Sequence, residues 1–218
     1  MKKKAAEKVK EKAEARKKRE KQTKFVFAMM IVLLIAVVGT YFIADSLRTF
    51  SYGGMKFQKA NQGGRILWMA KIPVAEYEGK PNSISFGFRE DPRELGDIEI
   101  NGAIRLKQNT ALVADSKLVE SCEDSILAGT TLAVYLRALG VNPYPAAINK
   151  SEAIERDVKY ASCNDTATHS IIIFEEGERD RIIQEGDCYK LEIANCNFMN
   201  VTERFMIGWY AHSKNITI

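Results

Sequence analysis

Histidine is almost missing from this chain, with two in 218 residues, and His169 and His212 each stand alone in sequence. No H-E-x-x-H helix, C-x-x-C pair, G-x-S-x-G elbow or phosphate-cradling Gly-rich loop before a helix occurs either. These absences remove the motif-borne routes to metal hydrolysis, thiol redox chemistry, serine hydrolysis and nucleotide binding, so no cofactor and no metal are expected. Cysteine is absent from the first 121 residues. Charge is absent from 25–44, FVFAMMIVLLIAVVGTYFIA, and Gly and Pro are absent from the 24 residues before it.

Those 24 residues hold twelve Lys/Arg against four Asp/Glu, a local charge of +8 that leaves −4 for the rest of a chain whose overall charge is +4. Twenty uncharged residues at 1.5 Å each reach about 30 Å, the depth of a bilayer's hydrocarbon core. With a basic flank, the run reads as a single transmembrane helix whose N-terminus stays cytoplasmic. A cut after Ala44 would put Phe42 where a signal peptidase needs a small residue, so the run reads as a retained signal anchor at the cell membrane. Arm 1–24 is rich in helix formers and carries i,i+4 Lys/Glu pairs, but it has no apolar stripe. Its expected partner is the bilayer, through anionic headgroups. It has no aromatic side chain to stack on bases, and nucleic acid is not expected.

Cys122, Cys163, Cys188 and Cys196 all follow the anchor, an arrangement that reads as two disulfides in an oxidising compartment. Three pairings are open, and the expected one joins Cys188 to Cys196 and Cys122 to Cys163. N-x-S/T sequons at Asn149, Asn164, Asn200 and Asn215 lie on the same side.

Residues 45–64, with Gly53-Gly54 and Gly63-Gly64, read as a juxtamembrane stalk, and Tyr41, Phe42, Phe50 and Tyr52 as an aromatic belt at the outer interface. Residues 65–218 read as the folded domain. Its predicted order is a hairpin of 65–76 and 82–89, an extended 98–106, a strand from 110, and a helix over 122–139 closed by Gly140. A strand at 144–148, a helix over 150–160 and the buried strand SIIIF at 170–174 follow, then a hairpin of 181–184 with 188–193 and a helix over 200–212. In the last helix Asn200 and Glu203 have capping-box spacing. Strands alternating with helices predict an α/β or α+β ectodomain with a partly parallel mixed sheet.

The order of basic arm, anchor, FGFREDPREL and a cysteine-bearing segment ending in GDCYKLEIANC resembles membrane-anchored ectodomains of uncharacterised archaeal proteins. The matching residues are Phe88, Arg89, Asp91, Pro92, Arg93, Cys163, Cys188, Tyr189 and Cys196. The resemblance implies this architecture and no activity.

Ligands of open α/β sheets sit beyond the carboxyl ends of strands. Asp115, Ser116 and Lys117 follow one predicted strand, Glu175 and Glu176 another, and convergence of Asp115, Ser116 and Glu175 would make a hydrolytic site. Arg89, Asp91 and Arg93 are candidates to bind an anion or a partner's carboxylate; the competing reading is a self-neutralised corner at Asp91-Pro92. Trp68, Phe205 and Trp209 read as core. The sequence supports a non-catalytic binding or accessory domain meeting an unknown protein partner on the outer face. An anchored hydrolase and an envelope-structural protein are the alternatives.

Overall fold

The computed structural model describes residues 24, 25, 27, 29–40, 42, 43, 48–77, 80–164 and 166–216. The chain divides into two units, Met1–Arg48 and Thr49–Ile218. Arm residues 1–23 lie outside the described residues. In the first unit 29–40 is helical, and its apolar side chains, Leu34 and Ile35 among them, stand exposed. Residues 24, 25, 27, 42 and 43 are helical as well. Among the described residues no helix is long and apolar enough to cross a membrane.

The second unit is α+β. Its first part is an antiparallel meander of β1 (Thr49–Tyr52), β2 (Met55–Gln62), β3 (Arg65–Tyr77) and β4 (Lys80–Phe88), in that order. The stalk expected over 45–64 is replaced from Thr49 onward by strands. Both glycine pairs occupy two-residue hairpin loops, joining Tyr52 to Met55 and Gln62 to Arg65, and all four glycines have positive φ. Two consecutive left-handed residues match the twist of flanking strands, which is why Gly-Gly suits these loops. Alternation at 55–57 carries the same message, because Met55 and Phe57 are buried and Lys56 between them is exposed. Phe50 stacks on Phe57 at 5.4 Å and meets Trp68 edge-on at 5.3 Å, so it belongs to the packed sheet rather than to an interfacial belt.

A short 3₁₀ turn, Glu94–Asp97, leads to a seven-stranded mixed sheet. Its strands are β5 (Glu99–Asn101), β6 (Asn109–Ala114), β7 (Asn142–Ala147), β8 (Lys159–Tyr160), β9 (Ser170–Glu176), β10 (Arg181–Glu185) and β11 (Cys188–Ile193). The spatial order is β5-β10-β11-β9-β6-β7-β8. β11, β9, β6, β7 and β8 run parallel; β10 is antiparallel to β11 and parallel to β5. Residues 170–174 of β9 are buried on both faces, as their unbroken apolar run requires. The extended piece expected over 98–106 ends early, because Gly102 takes φ +112° and turns the chain off the edge.

Between β6 and β7 lie α1 (Ser116–Ser121) and α2 (Ser125–Ala138), in place of the single helix expected over 122–139. Cys122 is extended, and the Ser125 hydroxyl donates to the carbonyls of Cys122 and Val119 at the break. Gly140 ends α2 as expected: its N–H meets the Arg137 carbonyl while Val141 N–H reaches Leu136, the pattern of a Schellman cap. Helix α3 (Lys150–Glu155) stops short of 160, where Asp157 turns left-handed and β8 follows.

The last helix, α4 (Phe198–Ser213), is buried from Phe198 through Ala211 apart from half-buried Asn200. It packs against α2, β10 and β11 on one side and against β2 and the 3₁₀ turn on another. A helix with no solvent face is a core element, and this one lies between the two sheets. The Asn200–Glu203 capping box is absent, since Asn197 holds the N-cap and Glu203 is engaged elsewhere.

Candidate functional site

In the parallel part of the sheet the chain leaves β6 toward β7 and leaves β9 toward β11, so connections diverge between the neighbours β6 and β9. Such a divergence opens a crevice beyond the strand ends. A depression of about 470 Å3 lies there, lined among others by Asp115, Lys117, Ser121, Glu176, Asn195 and Cys196. The Cys122–Cys196 disulfide forms part of its wall. Asn195 and Cys196 both have left-handed backbone, φ +50° and +61°, a conformation Asn tolerates and Cys rarely adopts outside a constraint.

Only part of the expected site is assembled. Asp115 lines the depression, but its carboxylate accepts from Lys117 N–H at 2.8 Å as the N-cap of α1. Ser116 and Glu175 do not line it. Strand alternation sends Glu175 to the opposite face, in register with Glu192 on β11, while Glu176 turns toward the depression. Burial raises the Glu175 pKa, partly opposed by the Lys190 ammonium and reinforced by Glu192. The Ser121 hydroxyl donates to the Leu118 carbonyl rather than to a base. Two carboxylates and an ammonium can hold a polar group here, but the Ser121 hydroxyl that lines the depression is not paired with a base as nucleophilic chemistry needs.

Within FGFREDPREL, Phe86–Phe88 end β4 and residues 89–93 turn the chain into the 3₁₀ turn. Arg93 grips Asp91 through both Nε and a terminal nitrogen, which holds the Asp91 carboxyl below its ordinary range. The same guanidinium lies 4.3 Å from the Phe50 ring centre. Arg89 is paired with Asp124 at 3.1 Å. The three anion-binding candidates are therefore satisfied within the domain.

Both disulfides form, in a pairing different from the expected one: Cys122 with Cys196, and Cys163 with Cys188. Cys188 opens β11 and Cys196 lies in the turn after its end, so the strand alone, about 17 Å at about 3.3 Å per residue, carries the two apart, beyond disulfide reach. Among the sequons, Asn149, Asn164 and Asn215 are exposed, whereas Asn200 is half-buried and its Thr202 is fully buried in α4. His212 Nδ1 accepts from Ile104 N–H at 3.1 Å, and burial lowers its pKa. His169 Nδ1 contacts the Thr168 hydroxyl, with Nε2 buried and unpartnered. Among the described residues no cluster of three or more His, Cys, Asp or Glu side chains can hold a metal ion.

Sequence reasoning missed the polar centre of the core. Glu203, on α4, is 1% exposed and accepts from Arg89 N–H at 2.7 Å and Glu90 N–H at 3.1 Å. Burial pushes its pKa up to about 7, against the two backbone donors and Arg89, which favour the charged form. Beside it Arg204, also buried, donates to the Ile98 carbonyl and to the Tyr52 hydroxyl at 3.0 and 2.9 Å. Two adjacent ionisable residues in a helix with little other polarity were the available signal. No family model, curated protein or solved structure matches the chain.

Proposed function

We propose that the chain is a single-pass membrane protein, N-terminus cytoplasmic, that presents a non-catalytic binding or accessory domain on the outer face of the cell membrane. One observation carries the reading: a helical run of exposed apolar side chains at 29–40 precedes a separate unit closed by two disulfides. Exposed apolar surface of that density needs a non-aqueous surrounding, and structural disulfides persist where thiols are not kept reduced. The uncharged run 25–44 and its basic flank supply the length and the orientation. An accessory role is favoured over hydrolysis because Asp115, Ser116 and Glu175 do not converge.

Alkaline extraction of membranes, protease protection of the two termini and thiol labelling under non-reducing conditions test this together. The expected result is a pellet-retained chain with a protected N-terminus, an accessible C-terminal domain and no free thiol. A chain released by carbonate, or four thiols that label without reductant, overturns it.

A further inference from the structure

Helix α2 has an outer face that water does not suit. Its twelve residues 125–136, SILAGTTLAVYL, contain no charge. Ala128, Leu132, Tyr135 and Leu136 point into the core and are wholly buried. At 100° per residue the opposite face carries Ile126, Thr130, Val134 and Arg137, and Ile126 and Val134 are 71% and 50% exposed. A surface helix ordinarily places charge there. Alongside runs an apolar groove of about 430 Å3 between α2 and β7, where Gly129 and Ala133 let another backbone come close.

The charges at the two ends of this face are opposite. Glu123 lies in the turn just before the N-cap residue Asp124, and Arg137 lies in the last turn of α2, seven residues and about 10 Å beyond Thr130. Neither forms an ion pair among the described residues, whereas the neighbouring Asp124 is taken by Arg89.

We propose that this face docks against the same face of a second copy, α2 antiparallel to α2 about a two-fold axis at Thr130. Helical positions equidistant from Thr130 then meet, so Ile126 covers the partner subunit's Val134, and the long Arg137 side chain at the end of one α2 reaches toward the turn that opens the other, where the partner subunit's Glu123 stands. The face is self-complementary only in this sense, because a parallel pair would set like charges together and align the helix dipoles unfavourably. The neighbouring edge does not offer the other common route to association. Asn142 N–H points to β6, so by alternation Pro143 and Pro145 stand where the outward N–H groups of β7 would be, and that stretch of edge has no donors for an added strand. The inference rests on residues of the second unit alone and holds whether or not the chain is anchored. One helix face and a groove fall below the roughly 800 Å2 a side of a standard interface, so the dimer is expected to be weak, micromolar or looser.

The test is a charge swap in the full chain. Sedimentation velocity in mild detergent compares wild type with Arg137→Glu, Glu123→Arg and the double variant, all at exposed positions, with far-ultraviolet circular dichroism confirming the fold. Each single substitution is expected to weaken dimerisation about tenfold, and the double variant to return within about threefold of wild type. A benzophenone side chain at position 130, irradiated in intact membrane vesicles, is expected to link two copies. A chain monomeric in detergent and giving no photo-dimer overturns the proposal. So does a dimer indifferent to both single substitutions, the signature of association through the apolar run 25–44, or a double variant no better than the singles.

Discussion

Glu203 makes the stability of the domain fall as pH rises through the neutral range. In the unfolded chain its carboxyl titrates near 4.5; in the folded domain, near 7. Between those values the native state holds a proton the unfolded state has released, so unfolding free energy decreases with pH. The shift corresponds to about 3 kcal/mol, present in full below pH 4.5 and gone above pH 7. Two charge-assisted N–H bonds, about 1.5–3 kcal/mol each, support the carboxylate, and a desolvation penalty of several kcal/mol opposes it. Burial wins, by a margin set by the 1% exposure. Urea unfolding of the full chain in mild detergent reads this directly, since both tryptophans, Trp68 and Trp209, are buried in the second unit. Glu203→Gln keeps one acceptor and cannot ionise, so its stability should stay flat between pH 5 and 8 with respect to this group. The gap between wild type and variant should narrow as pH rises. His212, whose pKa burial lowers, adds a slope of opposite sign to both proteins, so the comparison decides: a Gln variant with the same pH slope as wild type would refute the reasoning.

The two disulfides should differ in their worth, because Cys122–Cys196 closes a loop of 74 residues and Cys163–Cys188 one of 25. Paired Cys→Ser variants are expected to lose about 4.5 and 3.5 kcal/mol respectively, measured by urea midpoint. Asp115→Ala removes the α1 cap and should cost about 1 kcal/mol, visible as a drop of a few degrees in Tm. Tyr52→Phe takes an acceptor from buried Arg204 and should cost about 1–3 kcal/mol, while Arg204→Ala, which also frees the Ile98 carbonyl, should cost more.

What was legible in the sequence was local. SIIIF, the Glu185-Gly186-Asp187 hairpin and the Gly140 cap each state their structure within a few residues, and each lies where expected. The Gly-Gly pairs were equally local but ambiguous, since glycine serves a flexible linker and a tight hairpin alike; the buried-exposed alternation of 55–57 was the deciding signal. Disulfide pairing was not legible, because it depends on which strand ends meet after folding. The catalytic candidates failed for a related reason. Proximity of β6 to β9 could be guessed, but Glu175 and Glu176 point to opposite faces, and a register shift of one residue would exchange them.

The buried pair on α4 shows why an ionisable side chain can be placed in a core at all. Glu203 reaches forward to the backbone just past β4, and Arg204 reaches the Tyr52 hydroxyl on β1 and the Ile98 carbonyl before β5. Apolar packing alone tolerates small slides of a helix against a sheet, because one buried leucine-sized contact replaces another at little cost. Hydrogen bonds to fixed backbone groups do not, since a displaced carboxylate or guanidinium would be left buried and unpaired. The meander, the start of the mixed sheet and α4 are thereby held in one register by two neighbouring residues. Their partners lie between 106 and 152 positions away, so no local pattern announced them. The same arrangement explains why Arg89 and Glu90 sit in a tight charged corner: their backbone N–H groups, rather than their side chains, are what the core uses.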